Sequence, residues 1–322
     1  MGTACRMATI GIFLSCEEQS AKRLVDIAVK AEAAGFSDLW ISDHFHPWVD
    51  AQGESPFVWS IIGAIAAATE RARVTTAVTC PTVRIHPAIV AQAAATSAIL
   101  LDGRFTLGVG TGEALNEHIL GDPWPGIEQR LSMLEESVAI MRALWEGSNV
   151  SYDGQHYVVD RARLYSLPEQ PIDVYASAFG PKAAESVGAW ADGYVNVAPD
   201  EELLKTYRGA GGKGPAQGGM KVCWGPDEAE CVKTVHRIWP NEVLSGELAQ
   251  VLPMPAHYEA ACEPITEAMI AEAVPCGPDP EKHAAAIKEF ADAGYDEVYV
   301  SQIGDDQEGF LAFMKDEVLP RL

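Results

Sequence analysis

The feature that most constrains the fold of this chain is a regular alternation of short β-forming runs with longer segments of helical periodicity. Residues 8–13 are rich in β-branched and aromatic side chains, and the next segment places Leu24, Ile27 and Ala31 on one face of a helix that Gly35 can end. This alternation is typical of βα units in a parallel sheet. The predicted strands span residues 8–13, 39–41, 74–78, 105–109, 174–178, 194–197, 220–224 and 298–303. Eight such strands predict a closed α/β barrel, the (β/α)8 TIM barrel.

Two segments interrupt the alternation. Residues 149–159 hold Asp153 and Gly154 between β-forming side chains, which indicates a hairpin outside the barrel. Residues 240–280 are rich in Pro, Ala and Glu with short helical patches, which favours an insertion between the seventh and eighth strands. Because neither segment is large enough for a separate domain, we expect residues 1–322 to form one barrel domain with two excursions.

Composition and charge limit the partners of the protein. The 322 residues are 48% hydrophobic, and a formal net charge of −23 opposes binding to nucleic acid or to anionic membranes. The seven cysteines lack C-x-x-C spacing, so the sequence predicts neither a disulfide framework nor a zinc site. No apolar run approaches the roughly 20 residues that span a bilayer. We therefore expect a soluble, cytoplasmic protein whose partners are small molecules or further copies of itself.

Active sites of such barrels lie at the C-terminal ends of the strands, and the loop after the second strand carries candidate side chains. Asp43 stands next to His44 there, and Trp48 follows in the same loop. Because histidine titrates near neutral pH, His44 is a candidate base and Trp48 a candidate wall against water. The structural alternative is a loop histidine beside an aromatic plug. His46 adds a second imidazole, but without a further ligand motif the sequence predicts no metal site.

A glycine-rich loop follows the fourth strand. Gly108, Gly110 and Gly112 look at first like the G-x-G-x-x-G fingerprint of dinucleotide-binding folds. The fingerprint requires its third glycine at position 113, however, and this chain has Glu113 there, directly after Gly112. Since a carboxylate there opposes a pyrophosphate, the Rossmann interpretation fails. The glycines instead allow the backbone to approach a planar ligand, with Glu113 at its ring edge. The alternative is an ordinary carboxylate at the start of a helix.

A turn of small residues follows the fifth strand and leads into a helix. Its members are Ser177, Ala178, Phe179, Gly180 and Pro181, and Lys182 comes next. Free N–H groups at a helix N-terminus bind phosphate, and Lys182 adds a positive charge. The alternative is a plain turn with Pro at the first helical position.

Taken together, these loops resemble the F420-dependent glucose-6-phosphate dehydrogenases of the luciferase-like superfamily, over nearly the whole chain. The stretches that carry the resemblance are Ser42-Asp43-His44-Phe45-His46-Pro47-Trp48, Pro81-Thr82 with Arg84, Pro87-Ala88 and Ala91-Gln92, and Gly108-Val109-Gly110-Thr111-Gly112-Glu113-Ala114-Leu115-Asn116-Glu117. The last stretch is highly specific. The resemblance implies a luciferase-like barrel that transfers hydride with the deazaflavin coenzyme F420.

The resemblance also implies roles for individual residues. His44 takes the proton of the substrate hydroxyl, Trp48 helps to position substrate and cofactor, and Glu113 serves the ring nitrogen as an acid. The family has a cis non-proline peptide after the third strand, which falls at Ala77–Val78 in this chain. The residues implied to hold the deazaflavin are Asp43, Ala77, Val78, Gly112, Glu113, Asn116, Ser177, Ala178, Phe179, Gly180 and Pro181. Members of this family are usually homodimers, so we expect a homodimer here.

The sequence departs from the family where sugar phosphates bind. A Thr and a Lys follow the sixth strand in the family, whereas this chain has Val197 and Asp200. The family's phosphate-binding Lys and Arg lie in the insertion before the eighth strand, but residues 238–280 contain neither Lys nor Arg. We therefore expect a small, unphosphorylated alcohol or sugar as substrate, unless Lys182, Lys205 or Arg208 reaches the site. The alternatives are a sugar-6-phosphate dehydrogenase, an FMN-dependent monooxygenase and a barrel that binds its cofactor without turnover.

Overall fold

The computed structural model describes residues 8–244 and 246–322 of the chain. Eight parallel strands form a closed barrel in which they follow one another in chain order, and the last strand pairs with the first. This confirms the predicted (β/α)8 fold. The strands are β1 (Thr9–Leu14), β2 (Asp38–Ile41), β3 (Arg73–Thr76), β4 (Phe105–Val109), β5 (Val150–Asp153), β6 (Val158–Ala162), β7 (Val174–Ser177), β8 (Gly193–Asn196), β9 (Ala216–Val222) and β10 (Glu297–Gln302).

Helices connect and surround the strands. The first of them buries Leu24, Ile27 and Ala31 and ends at Gly35, whose φ of 104° is left-handed, as the sequence predicted. The helices are α1 (Ala21–Ala34), α2 (Val58–Ala68), α3 (Pro87–Leu100), α4 (Ala114–Glu117), α5 (Ile127–Trp145), α6 (Pro181–Gly188), α7 (Glu201–Gly209), α8 (Glu228–Ile238), α9 (Leu248–Val251), α10 (Pro255–Cys262), α11 (Glu267–Ala273), α12 (Pro280–Asp292) and α13 (Gln307–Phe313). Within the described residues, no helix is long and apolar enough to cross a membrane.

The observed strands differ from the predicted ones mainly at two places. The third strand ends at Thr76 rather than at residue 78, and the peptide bond between Ala77 and Val78 that follows it is cis, as the resemblance implied. The strand β9 begins at Ala216, four residues before its predicted start. Its early residues include Gly218 and Gly219, which have low strand propensity and therefore hid the start of the strand.

Large side chains fill the barrel interior. Trp40 and Tyr299 stack with ring centroids 4.6 Å apart, and the Trp40 ring meets the edge of Phe13 at 5.6 Å. The indole Nε1 of Trp40 donates a hydrogen bond of 2.8 Å to Gln217 across the barrel. Because the interior is a packed core, a ligand has room only at the mouth, where the loops that follow the strands meet.

Two segments lie outside the eight barrel strands. Strands β5 and β6 pair antiparallel as a hairpin, and Glu136 of α5 accepts the backbone N–H groups of Gln155, His156 and Tyr157 at its turn. The second excursion contains a 3-10 helix, Pro240–Val243, followed by α9, α10 and α11. The ring of Tyr258 in α10 lies 5.2 Å from that of Trp48, so this segment packs over the barrel mouth. We keep the name insertion for residues 240–280.

Candidate active site

A buried amide joins two loops at the mouth. Asn116 in α4 is 1% exposed, and its Oδ1 accepts the backbone N–H groups of Phe45 at 2.9 Å and His46 at 3.2 Å. Only an oxygen can accept these two N–H groups, so they fix the orientation of the amide. Its Nδ2 then lies 3.1 Å from Nδ1 of His44. Asn116 therefore fixes the loop after β2 against the loop after β4.

The partners of His44 fix the position of its imidazole. Nε2 lies 3.3 Å from Oε1 of Glu17, while Nδ1 lies 3.1 Å from Nδ2 of Asn116 and 3.2 Å from the carbonyl oxygen of His46. Polar groups from the loops after β1, β2 and β4 therefore hold both ring nitrogens at the mouth.

Glu17 is a candidate site residue, in contact with His44, that the sequence patterns did not single out. It lies just after β1, is 3% exposed, and its Oε2 accepts the hydroxyl groups of Ser15 at 2.9 Å and Ser42 at 2.6 Å. Burial alone raises the pKa of this carboxyl, but the charge of His44 and the Ser42 hydrogen bond outweigh it and lower the pKa. Its position at the C-terminal end of the first strand was the signal that could have identified it.

Trp48 lies between His44 and the insertion. Its ring centroid is 4.9 Å from the imidazole of His44 and 5.2 Å from the ring of Tyr258. Its backbone N–H donates a hydrogen bond of 2.7 Å to the side chain of Gln52, which holds the loop in place. The indole therefore packs against the imidazole on one side and against α10 on the other.

A buried ion network supports these loops from below. Arg84 lies 2.9 Å from Oδ1 of Asp43 and 3.4 Å from Oε1 of Glu117, while Thr79 donates to the other Asp43 oxygen at 2.9 Å. Burial raises the pKa of Glu117 to about 7 although Arg84 opposes the shift. The polar atoms of Asp43 are therefore engaged inside the protein, and the network fixes the loops after β2, β3 and β4 together.

The glycine-rich loop and the cis peptide lie side by side. Gly112 has a φ of 76°, and a Cβ at this position would lie 2.6 Å from Sγ of Cys80, so only glycine fits. Glu113 follows as the N-cap of α4, half-buried, with Oε2 3.4 Å from the Asn116 amide. Ala77 and Val78 pack on the aromatic barrel interior. The mouth therefore has an apolar floor and a rim that carries Glu113 and His44.

The turn after β7 has the predicted form, with Gly180 as N-cap and Pro181 at the first position of α6. Its carbonyl at Ala178 accepts the hydroxyl of Tyr194 at 2.9 Å, while the side chain of Phe179 is 51% exposed. Lys182 does not turn to the mouth. Its ammonium pairs with Glu128 at 2.9 Å, and the two side chains are 78% and 81% exposed.

The other polar clusters of the mouth do not form a metal site. Across residues 8–244 and 246–322, no group of three or more His, Cys, Asp or Glu side chains is placed to hold a metal ion. Nδ1 of His46 lies 2.9 Å from the carbonyl oxygen of Leu115, so this imidazole bonds to the protein instead. The six cysteines in the described part of the chain are free thiols, and Cys5 lies outside it.

Comparison with known proteins identifies the class of this barrel. The family model described as luciferase-like monooxygenase matches residues 7–297, and the chain belongs to that family. Among curated proteins, it is 34% identical to the F420-dependent glucose-6-phosphate dehydrogenase of Microbacterium testaceum (strain StLB037), over 97% of this chain and 96% of that protein. It is 35% identical to the protein of the same name from Nocardia farcinica (strain IFM 10152), over 97% of each chain.

A solved structure resembles the whole barrel. It is an F420-dependent secondary alcohol dehydrogenase in complex with an F420-acetone adduct, which superposes with a TM-score of 0.89 at 30% identity. The match covers 97% of this chain and 98% of that one. The resemblance inferred from the sequence motifs is thereby confirmed.

The Arg84 network predicts a pH-dependent loss of stability. We expect Arg84→Met to lower the free energy of unfolding by about 3–5 kcal/mol at pH 8, because two buried carboxylates lose their cation. The loss should shrink at pH 6. Glu117 has a raised pKa in the folded state, so the folded protein keeps a proton that the unfolded chain releases. Ionisation of this carboxyl therefore destabilises the folded state. The effect grows as the pH rises from about 4.3, the pKa of an unfolded-state Glu, through the raised pKa of the folded state.

Urea denaturation at the two pH values measures this difference. Arg142→Met is the matched control, because its pair with Asp192 at 2.8 Å joins side chains that are 40% and 41% exposed. Its effect should stay below about 1 kcal/mol at both pH values. An equal loss for Arg84→Met at pH 6 and pH 8 would contradict the role of buried carboxylates.

Proposed function

We propose that this chain is an F420-dependent dehydrogenase or reductase that transfers hydride between the deazaflavin and a hydroxyl or carbonyl carbon of a small, unphosphorylated alcohol or sugar. The observation that carries the proposal is the placement of His44 between Glu17 and Asn116. Relatives that align over nearly the whole chain are named F420-dependent dehydrogenases, and they support the choice of cofactor.

The mouth fits a planar heteroaromatic ring. Ala77 and Val78 form an apolar floor on the packed interior, and Gly112 allows the backbone to approach closely from one side. Coenzyme F420, when bound, supplies the ring carbon that accepts or donates the hydride. Asp43 and Asn116 hold the surrounding loops, and we assign the turn formed by Ser177, Ala178, Phe179, Gly180 and Pro181 to the part of the cofactor beyond the ring.

The residues of this chain handle the proton. His44 removes the proton of the substrate hydroxyl as hydride leaves the adjacent carbon, and Glu17 and Asn116 hold the imidazole in position. Glu113, at the rim beside the glycine-rich loop, supplies a proton at the edge of the ring site. Trp48 keeps water from His44 and orients the substrate, since it bridges the imidazole and the insertion.

The cations named in the sequence analysis are engaged away from the mouth. Lys205 pairs with Glu201 and Glu202 on the surface of α7. Arg208 bonds to Gly214 and pairs with Asp296 at 3.6 Å, at the N-terminal ends of β9 and β10, and thus at the opposite end of the barrel. Lys221 does lie at the mouth, but its ammonium is 2.8 Å from Glu242. These pairings support an unphosphorylated substrate.

Binding tests the cofactor assignment directly. We expect micromolar or tighter binding of oxidised F420 and far weaker binding of FMN, measured by fluorescence titration. In single-turnover assays, His44→Ala and Glu113→Gln should slow hydride transfer by about 10²–10⁴-fold, because general acid–base groups typically contribute that much, while F420 affinity remains.

Controls separate these outcomes. His257→Ala and Glu289→Gln change the same residue types at exposed positions and should leave the rate unaltered. Tight FMN binding without F420 binding would indicate the monooxygenase alternative. F420 binding without turnover of any alcohol or sugar would indicate the non-catalytic alternative, and wild-type rates in both site variants would refute the proton-transfer roles.

Glucose 6-phosphate should be a poor substrate. A phosphate dianion loses strong hydration when it enters the mouth, and in this chain residues 238–280 supply no Lys or Arg to replace it. We expect kcat/KM to stay below about 10⁴ M⁻¹s⁻¹, the lower range for an enzyme with its own substrate. Steady-state F420 reduction measures it, with glucose as the paired unphosphorylated substrate. A higher value for glucose 6-phosphate would favour the sugar-phosphate alternative.

We also propose that two copies pair through α2 and α3. These adjacent helices contain no charged side chain, although the chain carries a net charge of −23. Phe57, Ile89 and Leu100 on this surface are 55%, 58% and 51% exposed. Two copies of a strongly acidic chain repel each other, so an uncharged apolar face is the surface where they can meet.

Sedimentation velocity tests the dimer. The wild-type chain should sediment as a dimer, and the double variant Ile89→Glu with Leu100→Glu as a monomer, because buried like charges oppose the contact. Val158→Glu, at a 65% exposed position on the hairpin, is the control and should remain dimeric. A monomeric wild type, or a dimeric double variant, would exclude this interface.

A further inference from the structure

An ammonium group points into the barrel mouth opposite the glycine-rich loop. Lys221 belongs to β9, where Gln217 faces the interior and bonds to Trp40. Because side chains alternate along a strand, Lys221 faces the interior too, at the end nearest the mouth. Its Nζ lies 5.7 Å from the ring centroid of Phe13 in β1 and 4.3 Å from that of Trp239.

This ammonium forms an ion pair with the insertion. Nζ of Lys221 lies 2.8 Å from Oε1 of Glu242, and the two side chains are only 14% and 23% exposed. In the part of the chain that the structure describes, Glu242 is the single charged group within ion-pair distance of Lys221. The ammonium has three N–H donors, and the carboxylate is its one charged partner while Phe13 and Trp239 offer only aromatic faces.

The insertion does not need this pair in order to close over the barrel. Val243 and Leu244 follow Glu242 and pack with Trp48 in apolar clusters. A largely desolvated ion pair is often no more stabilising than an apolar contact of the same size. The pair therefore carries an unfavourable desolvation free energy at a place where apolar packing already holds the insertion. This points to a polar ligand that hydrogen-bonds to the pair.

We propose that Lys221 and Glu242 form a second binding subsite that holds hydroxyl groups of a polyhydroxylated substrate, away from the reacting carbon. This inference rests on the proposed dehydrogenase function and narrows its substrate class to sugars and other polyols. A hydroxyl group accepts a hydrogen bond from the ammonium and donates one to the carboxylate, so the pair and a polyol satisfy each other. An apolar alcohol offers this ion pair no hydrogen bond beyond those of its reacting hydroxyl.

The subsite is held rigidly and lies near the candidate base. Nε1 of Trp239 donates a hydrogen bond of 2.7 Å to Glu18, which also accepts the N–H of Gly304, so Trp239 is fixed beneath the ammonium. The positive charge of Lys221 is one of the influences that lower the pKa of Glu17, the partner of His44. A substrate that reaches the pair therefore extends from the same mouth in which His44 lies.

Because Lys221 and Glu242 together carry no net charge, the proposed subsite should discriminate against anions. A phosphate must displace Glu242 from Lys221 or approach the carboxylate, and both are unfavourable. Removing the negative charge should therefore open the subsite to phosphate while it weakens the contact with a neutral sugar. If the pair only held β9 and the insertion together, its removal would not raise activity with phosphate and lower activity with a neutral sugar at the same time.

Kinetics with three substrates test the subsite. For Lys221→Met and Glu242→Gln, the ratio of kcat/KM for glucose to kcat/KM for 2-propanol should fall at least about tenfold, the usual effect of losing a hydrogen bond to a charged group. For Glu242→Gln, kcat/KM for glucose 6-phosphate should rise about tenfold. Lys233→Met removes an exposed pair with Glu230 on α8 and is the matched control. Unchanged ratios, or equal losses with all substrates, would overturn the inference.

A measurement without cofactor separates this inference from the proposed function. Calorimetric titration of the cofactor-free protein with glucose should show binding that Lys221→Met weakens at least about tenfold and Lys233→Met does not. Absence of F420 binding would refute the proposed function, and the sugar titration would still decide the subsite. Turnover of 2-propanol without binding or turnover of any polyol would overturn the subsite and leave the dehydrogenase proposal standing.

Discussion

The packing that fills the barrel is the constraint on which the rest of the structure depends. Trp40 stacks on Tyr299 at 4.6 Å and bonds to Gln217 across the interior. A filled interior leaves no space for a ligand between the strands, so chemistry is confined to the loops at one rim. The cis peptide at Ala77–Val78 lies directly on this core, which makes the core itself the floor of the candidate cofactor site.

Buried charge is the second constraint. An ionised carboxylate that leaves water needs hydrogen-bond donors or a cation in exchange. Glu17 has two serine hydroxyls and His44, and Glu18 has the indole of Trp239 and a backbone N–H. Asp43 and Glu117 share Arg84. These partners come from loops after different strands, so the groups that satisfy buried charge also lock the loops around His44 in one arrangement.

The two sides of the mouth serve separate purposes in the proposed mechanism. The loops after β1, β2 and β4 hold the proton-handling groups, and their positions are fixed by short polar contacts around Asn116. The opposite side is formed by β9 and the insertion, whose contacts with Trp48 are mostly apolar apart from the pair of Lys221 and Glu242. This division allows substrate preference to change within the insertion while the hydride-transfer geometry remains.

The sequence alone determined the βα alternation, the helix end at Gly35, and the residues that stand at the C-terminal ends of strands, among them His44 and Glu113. These are local properties, because strand propensity, helical period and turn chemistry depend on neighbouring residues. It did not reveal Glu17 beside His44, the start of β9 or the pairing of Lys221 with Glu242. Glu17 and His44 meet because β1 pairs with β2, and Lys221 meets Glu242 only when the insertion folds back over the end of β9. The sequence pattern predicts which side chains lie at the C-terminal ends of the strands. Closure of the barrel decides which of these side chains come within 3 to 4 Å of each other, and therefore which charges are paired. The reason is that Coulomb and hydrogen-bond energies depend on distances in space, which spacing along the chain does not set.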